Sequence, residues 1–212
     1  MNVLKTSFLV SFLLLFFSLH AQQSADDLLK QVIDKTKSYS SIKVEFDYRM
    51  LNEDAGIDEV KSGVVIISGD AYKLMMAEQT VISDGVTIWT YLEDSEEVMI
   101  SNAADGEENI TPSRILTSYY EDHKISYQNN HRNEEEGYTT IELKPESGKK
   151  FAKIQIAIDE ANLQIKSFSI FDNGGNEFIY LIKTMVDTNS LDDSFFRFDT
   201  TAFPDVEVID MR

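Results

Sequence analysis

The 212-residue sequence contains no cysteine. That excludes disulfides, thiol catalysis, Cys-based metal sites and lipidation on an N-terminal cysteine. Basic residues are scarce, with 19 Lys and Arg against 37 Asp and Glu and a formal charge of −18. Nucleic acid and anionic lipid surfaces both demand a basic patch, so neither is an expected partner. Catalytic signatures are missing too. There is no Gly-x-Ser-x-Gly elbow, no His-Glu-x-x-His and no phosphate-cradling glycine loop. The carboxylates are too many to single out a catalytic pair. Beyond the N-terminal leader only His123 and His131 occur, in polar surroundings that read as exposed loops rather than a metal site. No enzyme activity, cofactor or metal is expected. No internal repeat, low-complexity segment or domain linker is visible.

Long apolar runs are confined to the N-terminus. Lys5 precedes the stretch from Phe8 to Phe17, and Ala21 offers a small residue at a cleavage point before Gln22. The run is short of the ~18 apolar residues a membrane span needs, so residues 1–21 read as a cleaved signal peptide. Residues 22–212 then read as one exported domain. Removing Lys5 leaves 18 basic against 37 acidic residues, a formal −19. A domain of this length can bury a sufficient core without disulfides.

What is present is a β pattern framed by helices. Ser24-Ala25-Asp26-Asp27 is a helix start, and Leu28, Leu29, Val32, Ile33 and Thr36 follow at helical spacing. From Ile42 the period changes to two. Ile42, Val44, Phe46, Tyr48 and Met50 share one face, against Lys43, Glu45, Asp47 and Arg49. A second strand over 60–68 carries Val64-Val65-Ile66-Ile67, continuous enough to be covered on both sides. Tyr72, Leu74 and Met76 alternate next. Val98-Met99-Ile100 is a short strand. Thr111-Pro112-Ser113 opens a short helix over 112–120 that interrupts the strands. Strands resume over 138–143, 151–158, 164–171 and 176–186. Short terminal strands are expected at 195–198 and 206–209. Asp172-Asn173-Gly174-Gly175 reads as a hairpin turn; it lacks the further positions of a calcium loop.

The run from Val81 to Tyr91 holds the only Trp of the chain. Asp84-Gly85 between two β-rich runs predicts a type I′ hairpin, whose central residues both need positive φ. After the turn, Trp89 and Tyr91 form a large aromatic face that core, partner or ligand must cover.

A single antiparallel sheet of about ten to eleven strands with one apolar face must curl or be covered. The candidate cavity residues are Phe46, Tyr48, Met50, Ile66, Leu74, Met76, Trp89, Tyr91 and Met99. Methionines and aromatics suit an apolar ligand of variable shape. Alternation reports burial, so a filled core and a lidded cavity both satisfy it.

The order of these features resembles the outer-membrane lipoprotein carrier family, LolA, over essentially the whole exported part. The residues that carry the likeness are Gly63-Val64-Val65-Ile66-Ile67, Tyr72-Lys73-Leu74, the Pro-led helix from Thr111 to Leu116, Phe196-Arg197-Phe198 and Phe203-Pro204-Asp205-Val206-Glu207-Val208. Its most specific piece is Ser83-Asp84-Gly85-Val86-Thr87-Ile88-Trp89-Thr90-Tyr91. The resemblance implies a mainly β (α+β) fold, an unclosed antiparallel barrel lidded by short helices over an apolar cavity. It implies a periplasmic, monomeric carrier. Such carriers take acylated lipoproteins from an inner-membrane ABC transporter and deliver them to an outer-membrane acceptor. Ile115, Leu116 and Tyr119 would belong to a lid that packs into the empty cavity and is displaced by cargo. Well-studied members carry an Arg-Pro after the second strand that helps hold the lid; here Ser68-Gly69-Asp70 stands in its place, so no Arg role carries over. The alternatives are a periplasmic lipid- or lipoprotein-sensing domain, a carrier of another amphiphile such as a glycolipid or pigment, an envelope hydrolase using some of the many carboxylates, for which no motif is recognisable, and a filled structural barrel.

Overall fold

The computed structural model describes residues 23–103, 123–133, 137–145 and 151–212. Among the described residues the first element is a helix, α1 (Ala25–Lys37). Its start is a reciprocal cap. The Ser24 hydroxyl accepts from the Asp27 backbone N–H at 3.0 Å and donates to the Asp27 carboxylate at 2.7 Å. Acids in the first turn and Lys35 and Lys37 in the last both suit the helix dipole. Ala25, Leu28, Leu29, Val32 and Ile33 form the buried stripe that the spacing predicts.

The strands are β1 (Ser41–Asn52), β2 (Ile57–Ser68), β3 (Ala71–Met76), β4 (Gln79–Ser83), β5 (Thr87–Leu92) and β6 (Glu97–Asn102), then β7 (His123–Asn133), β8 (Tyr138–Pro145), β9 (Phe151–Asp159), β10 (Gln164–Asp172), β11 (Glu177–Thr188) and β12 (Glu207–Asp210). They form one sheet in the order β12-β6-β5-β4-β3-β2-β1-β11-β10-β9-β8-β7. Its edges, β12 and β7, are not paired with each other, so the barrel is unclosed. Neighbours are antiparallel except β12, which runs parallel to β6.

A parallel edge strand requires a crossover. The chain leaves β11 near the middle of the sheet and reaches the far edge through residues 189–206, by way of two 3-10 turns, Asp193–Phe196 and Thr200–Ala202. This corrects the strand expected at 195–198: Asp192, Asp193 and Ser194 open a turn there, and the alternation of phenylalanines serves a strap rather than a ladder. The sheet has twelve described strands rather than ten or eleven. The additional ones include β7, whose polar sequence hides its strand character.

The Asp84-Gly85 hairpin is present, with a different turn. Ser83 pairs with Ile88, and Gly85 alone has positive φ, at +89°. Gly85 and Val86 therefore form the two-residue loop, with glycine first, where a type I′ turn would need both central residues at positive φ. The Asp84 carboxylate accepts from the backbone N–H groups of Val86 at 3.0 Å and Thr87 at 2.8 Å. That Asx geometry keeps Asp84 at the base of the turn.

Candidate functional site: the helix-bearing face of the sheet

Residues opposite each other in a sheet point to the same side, so the register sorts every side chain. One row runs Val44–Val65–Leu74–Val81–Thr90–Met99 across β1 to β6. A neighbouring row runs Phe46–Gly63–Met76. Continuing the other way, Tyr48 opposes Tyr180, Tyr180 opposes Phe168, and Phe168 opposes Ile156. All of these belong to the face on which α1 packs, because Ile141, Leu143, Ile154, Ile156 and Ile170 cluster with Leu28, Leu29, Val32 and Ile33. The opposite face carries the row Lys43–Ile66–Lys73–Ile82–Trp89–Ile100.

The nine residues expected to share a cavity are thereby divided. Phe46, Tyr48, Met50, Leu74, Met76 and Met99 lie together on the helix-bearing face. Ile66, Trp89 and Tyr91 lie on the outer one and cannot line the same space. Nor is the run Val64–Ile67 buried on both sides: Val65 is 3% exposed, while Val64, Ile66 and Ile67 are half-buried. The lid residues Ile115, Leu116 and Tyr119 fall outside the described residues, as does the helix expected over 112–120.

The helix-bearing face has two regions of different character. Over β8 to β10 it is closed: α1 seals it, and Ile141, Ile154 and Ile158 have no exposed surface. Over β1 to β4 the cluster of Ile42, Val44, Phe46, Val65 and Tyr72 is bordered by Tyr48, Leu74, Met76, Val81, Tyr180, Ile182 and Met185, all only half-buried. A contiguous, partly wet apolar field with methionines is the feature of this chain that a ligand would satisfy.

An aromatic seam separates the two regions. The Phe168 and Tyr180 rings stack at 4.3 Å with 10° between planes. Tyr48 lies 5.1 Å and Phe46 5.9 Å from Tyr180, both tilted. Burial, with a smaller effect from Tyr48, pushes the Tyr180 phenol up to about 12. Burial also raises Tyr48, helped by Glu59. Tyr180, Phe168, Ile182 and Met185 escaped the sequence reading. Their strands are legible, but only the register shows which residues of β10 and β11 join the face of Phe46.

The outer face over β3 to β6 has its own cover. The crossover lays Phe198 and Phe203 against Tyr91, at 5.4 and 5.0 Å, and those two phenylalanines stack at 5.1 Å. Lys73 sits 5.0 Å over the Phe195 ring, and Phe196 is 3% exposed. Arg197 reaches Asp84 at 3.6 Å, tying the crossover to the hairpin. Trp89, half-buried, stands in register between Ile82 and Ile100, which are 4% and 8% exposed. Core from the chain's own end therefore covers Tyr91.

The remaining polar features are structural. His123 is buried at the start of β7 rather than exposed in a loop, and the side chain of His131 is outside the described residues. The Asp172 carboxylate accepts from the N–H groups of Gly174 and Asn176, both at 2.8 Å, so its oxygens close the turn. Ser68-Gly69-Asp70 makes the tight β2–β3 connection, with Gly69 at φ +58°. Among the described residues no group of three or more His, Cys, Asp or Glu could hold a metal. No helix of the described residues is long and apolar enough to cross a membrane.

An outer-membrane lipoprotein carrier protein of Actinobacillus succinogenes is 30% identical over 122 residues, 57% of this chain and 55% of that one. Another, from Psychromonas ingrahamii, is 30% identical over 137 residues, 62% of this chain and 65% of that one. The chain thus spans less than two thirds of the length of these curated relatives. A crystal structure of an uncharacterized conserved protein from Thermus thermophilus superposes with a TM-score of 0.54 at 12% identity, covering 86% of this chain and 96% of that one, and shares its fold. Residues 75–199, more than half of the sequence, match the family described as outer membrane lipoprotein carrier protein LolA; the chain belongs to that family.

Proposed function

We propose that this protein is a periplasmic carrier that shields the acyl chains of lipoproteins and moves them from the inner to the outer membrane. The observation that carries the reading is the half-buried apolar field of Tyr48, Leu74, Met76, Val81, Tyr180, Ile182 and Met185 beside a region sealed by α1. Phe46, Met50 and Met99 extend it on the same face. Family membership supports lipoprotein acyl chains as the cargo. The work is binding without covalent chemistry. Burying an acyl chain of about 14 methylenes is worth about 11 kcal/mol gross, at about 0.8 kcal/mol per methylene. That is ample to keep a lipid in solution. Contacts these side chains make with one another, which cargo would displace, offset part of it and let cargo leave.

Residues 1–21 act as the export signal in this reading. An inner-membrane ABC transporter donates cargo and an outer-membrane acceptor receives it. The protein works as a monomer. Native mass spectrometry of the chain purified from periplasm is the test. One-to-one complexes with acylated lipoproteins are expected. A chain that emerges empty, and binds no synthetic lipopeptide when offered one, would rule the reading out.

A further inference from the structure

Two polar atoms stand in the otherwise apolar seam, the hydroxyls of Tyr48 and Tyr180. Their rings are 5.1 Å apart. Among the described residues neither hydroxyl has a hydrogen-bond partner, and neither is among the side-chain polar atoms sealed from solvent. Both hydroxyls are therefore open to a partner that enters from the solvent side of the face. Packing alone would be served by phenylalanine, since the Phe168 stack at 4.3 Å and the Phe46 contact at 5.9 Å already fix the Tyr180 ring.

We propose that the Tyr48 and Tyr180 hydroxyls form a hydrogen-bonding subsite for the carbonyl oxygen of an acyl ester or amide, so that the site reads a carbonyl-linked chain rather than bare alkyl. This rests on the acyl-binding reading of the same face and adds what the site recognises at the polar end of the chain. A phenol donates, and a carbonyl oxygen only accepts, so the two match without a second polar group. Phenols are protonated donors at neutral pH, and burial raises both groups further from ionisation. Lys61 lies opposite Tyr48 and Glu59 opposite Met50, one charge of each sign, so no net charge at the seam selects a free carboxylate. The carbonyl would sit where the two regions of the face meet, with the chain running over Phe46, Met76 and Leu74.

The test compares 1-palmitoylglycerol with 1-O-hexadecylglycerol, which differ only in the ester carbonyl. Each competes with a fluorescent alkyl probe on the exported chain. About fivefold to tenfold tighter binding of the ester is expected, the range one hydrogen bond supports. Tyr180→Phe and Tyr48→Phe should each narrow the gap, and in the double variant the ester and the ether should bind alike. Equal binding by the native protein, or an ester preference that survives in the double variant, overturns the subsite and leaves the acyl reading standing. Failure of both lipids to bind overturns both.

Discussion

Phe46 lies across Gly63. A Cβ built on Gly63 would stand 2.7 Å from Phe46 Cζ and 3.0 Å from Met76 Cγ, on the face where the three residues are cross-strand neighbours. The glycine is needed for the close approach of a ring rather than for backbone freedom, since its φ is not positive. Gly63→Ala is predicted to destabilise the fold by about 1–3 kcal/mol, the usual cost of overpacking. Pairing it with Phe46→Leu should recover part of that loss. Urea denaturation of both single variants and the double variant measures the coupling; strict additivity would contradict the contact.

The Asp84 carboxylate holds two backbone N–H groups and faces Arg197 at 3.6 Å. Asp84→Ala is expected to cost about 1–2 kcal/mol through the orphaned turn donors. Arg197→Ala should cost under about 1 kcal/mol, because its side chain is 63% exposed. Equal losses in thermal melts would mean that the crossover, and not the turn, depends on Asp84.

That hairpin shows what the sequence could and could not say. The turn is legible from Asp-Gly because the chemistry is local. The faces are not. Within β1 the alternation of Ile42, Val44, Phe46, Tyr48 and Met50 against charged residues declares its own inside. In β5 each set mixes a threonine with large apolar side chains, and in Val64–Ile67 four apolar residues occur in succession, so parity is ambiguous until neighbouring strands fix the register. Trp89 and Tyr91 are conspicuous in size, yet size does not say which side of a sheet a residue is on. The cover over Tyr91 comes from Phe198 and Phe203, more than a hundred positions later, where a spacing argument has no reach. The quieter residues Tyr180 and Met185 hold the site because β11 pairs with β1, a long-range fact.

Asp159 gives a pH dependence of definite sign. Its carboxyl is held below the usual range, chiefly by the Asn162 side chain at 2.9 Å, with the Asn162 backbone N–H and Lys166 adding to it. A lowered folded-state pKa contributes stability that is present above the unfolded value of about 3.9 and is lost as pH falls through the folded value. The stability gap between wild type and Asp159→Asn should stay level above about pH 5 and shrink below about pH 4. A gap that does not change with acid would refute the assignment.

Tyr180 gives the opposite limb. With its phenol pushed up to about 12, its contribution is complete below the ordinary tyrosine value of about 10 and declines as pH rises toward 12. Tyrosinate absorbance should show a late step that Tyr180→Phe removes. Persistence of that step in the variant would place the buried phenol elsewhere.

The central claim is that cargo occupies the helix-bearing face, and adjacent residues of one strand separate the two sides. Met76 belongs to that face and Met75 to the outer one, and both are half-buried. Titration of a fluorescent fatty-acyl probe into Met76→Asp and Met75→Asp, with thermal melts confirming that both fold, is the most direct measurement. The account predicts a loss of affinity of at least about tenfold in Met76→Asp, the effect of a charge in an apolar contact, and near-native affinity in Met75→Asp. Equal binding by the two variants, or loss confined to Met75→Asp, would contradict it.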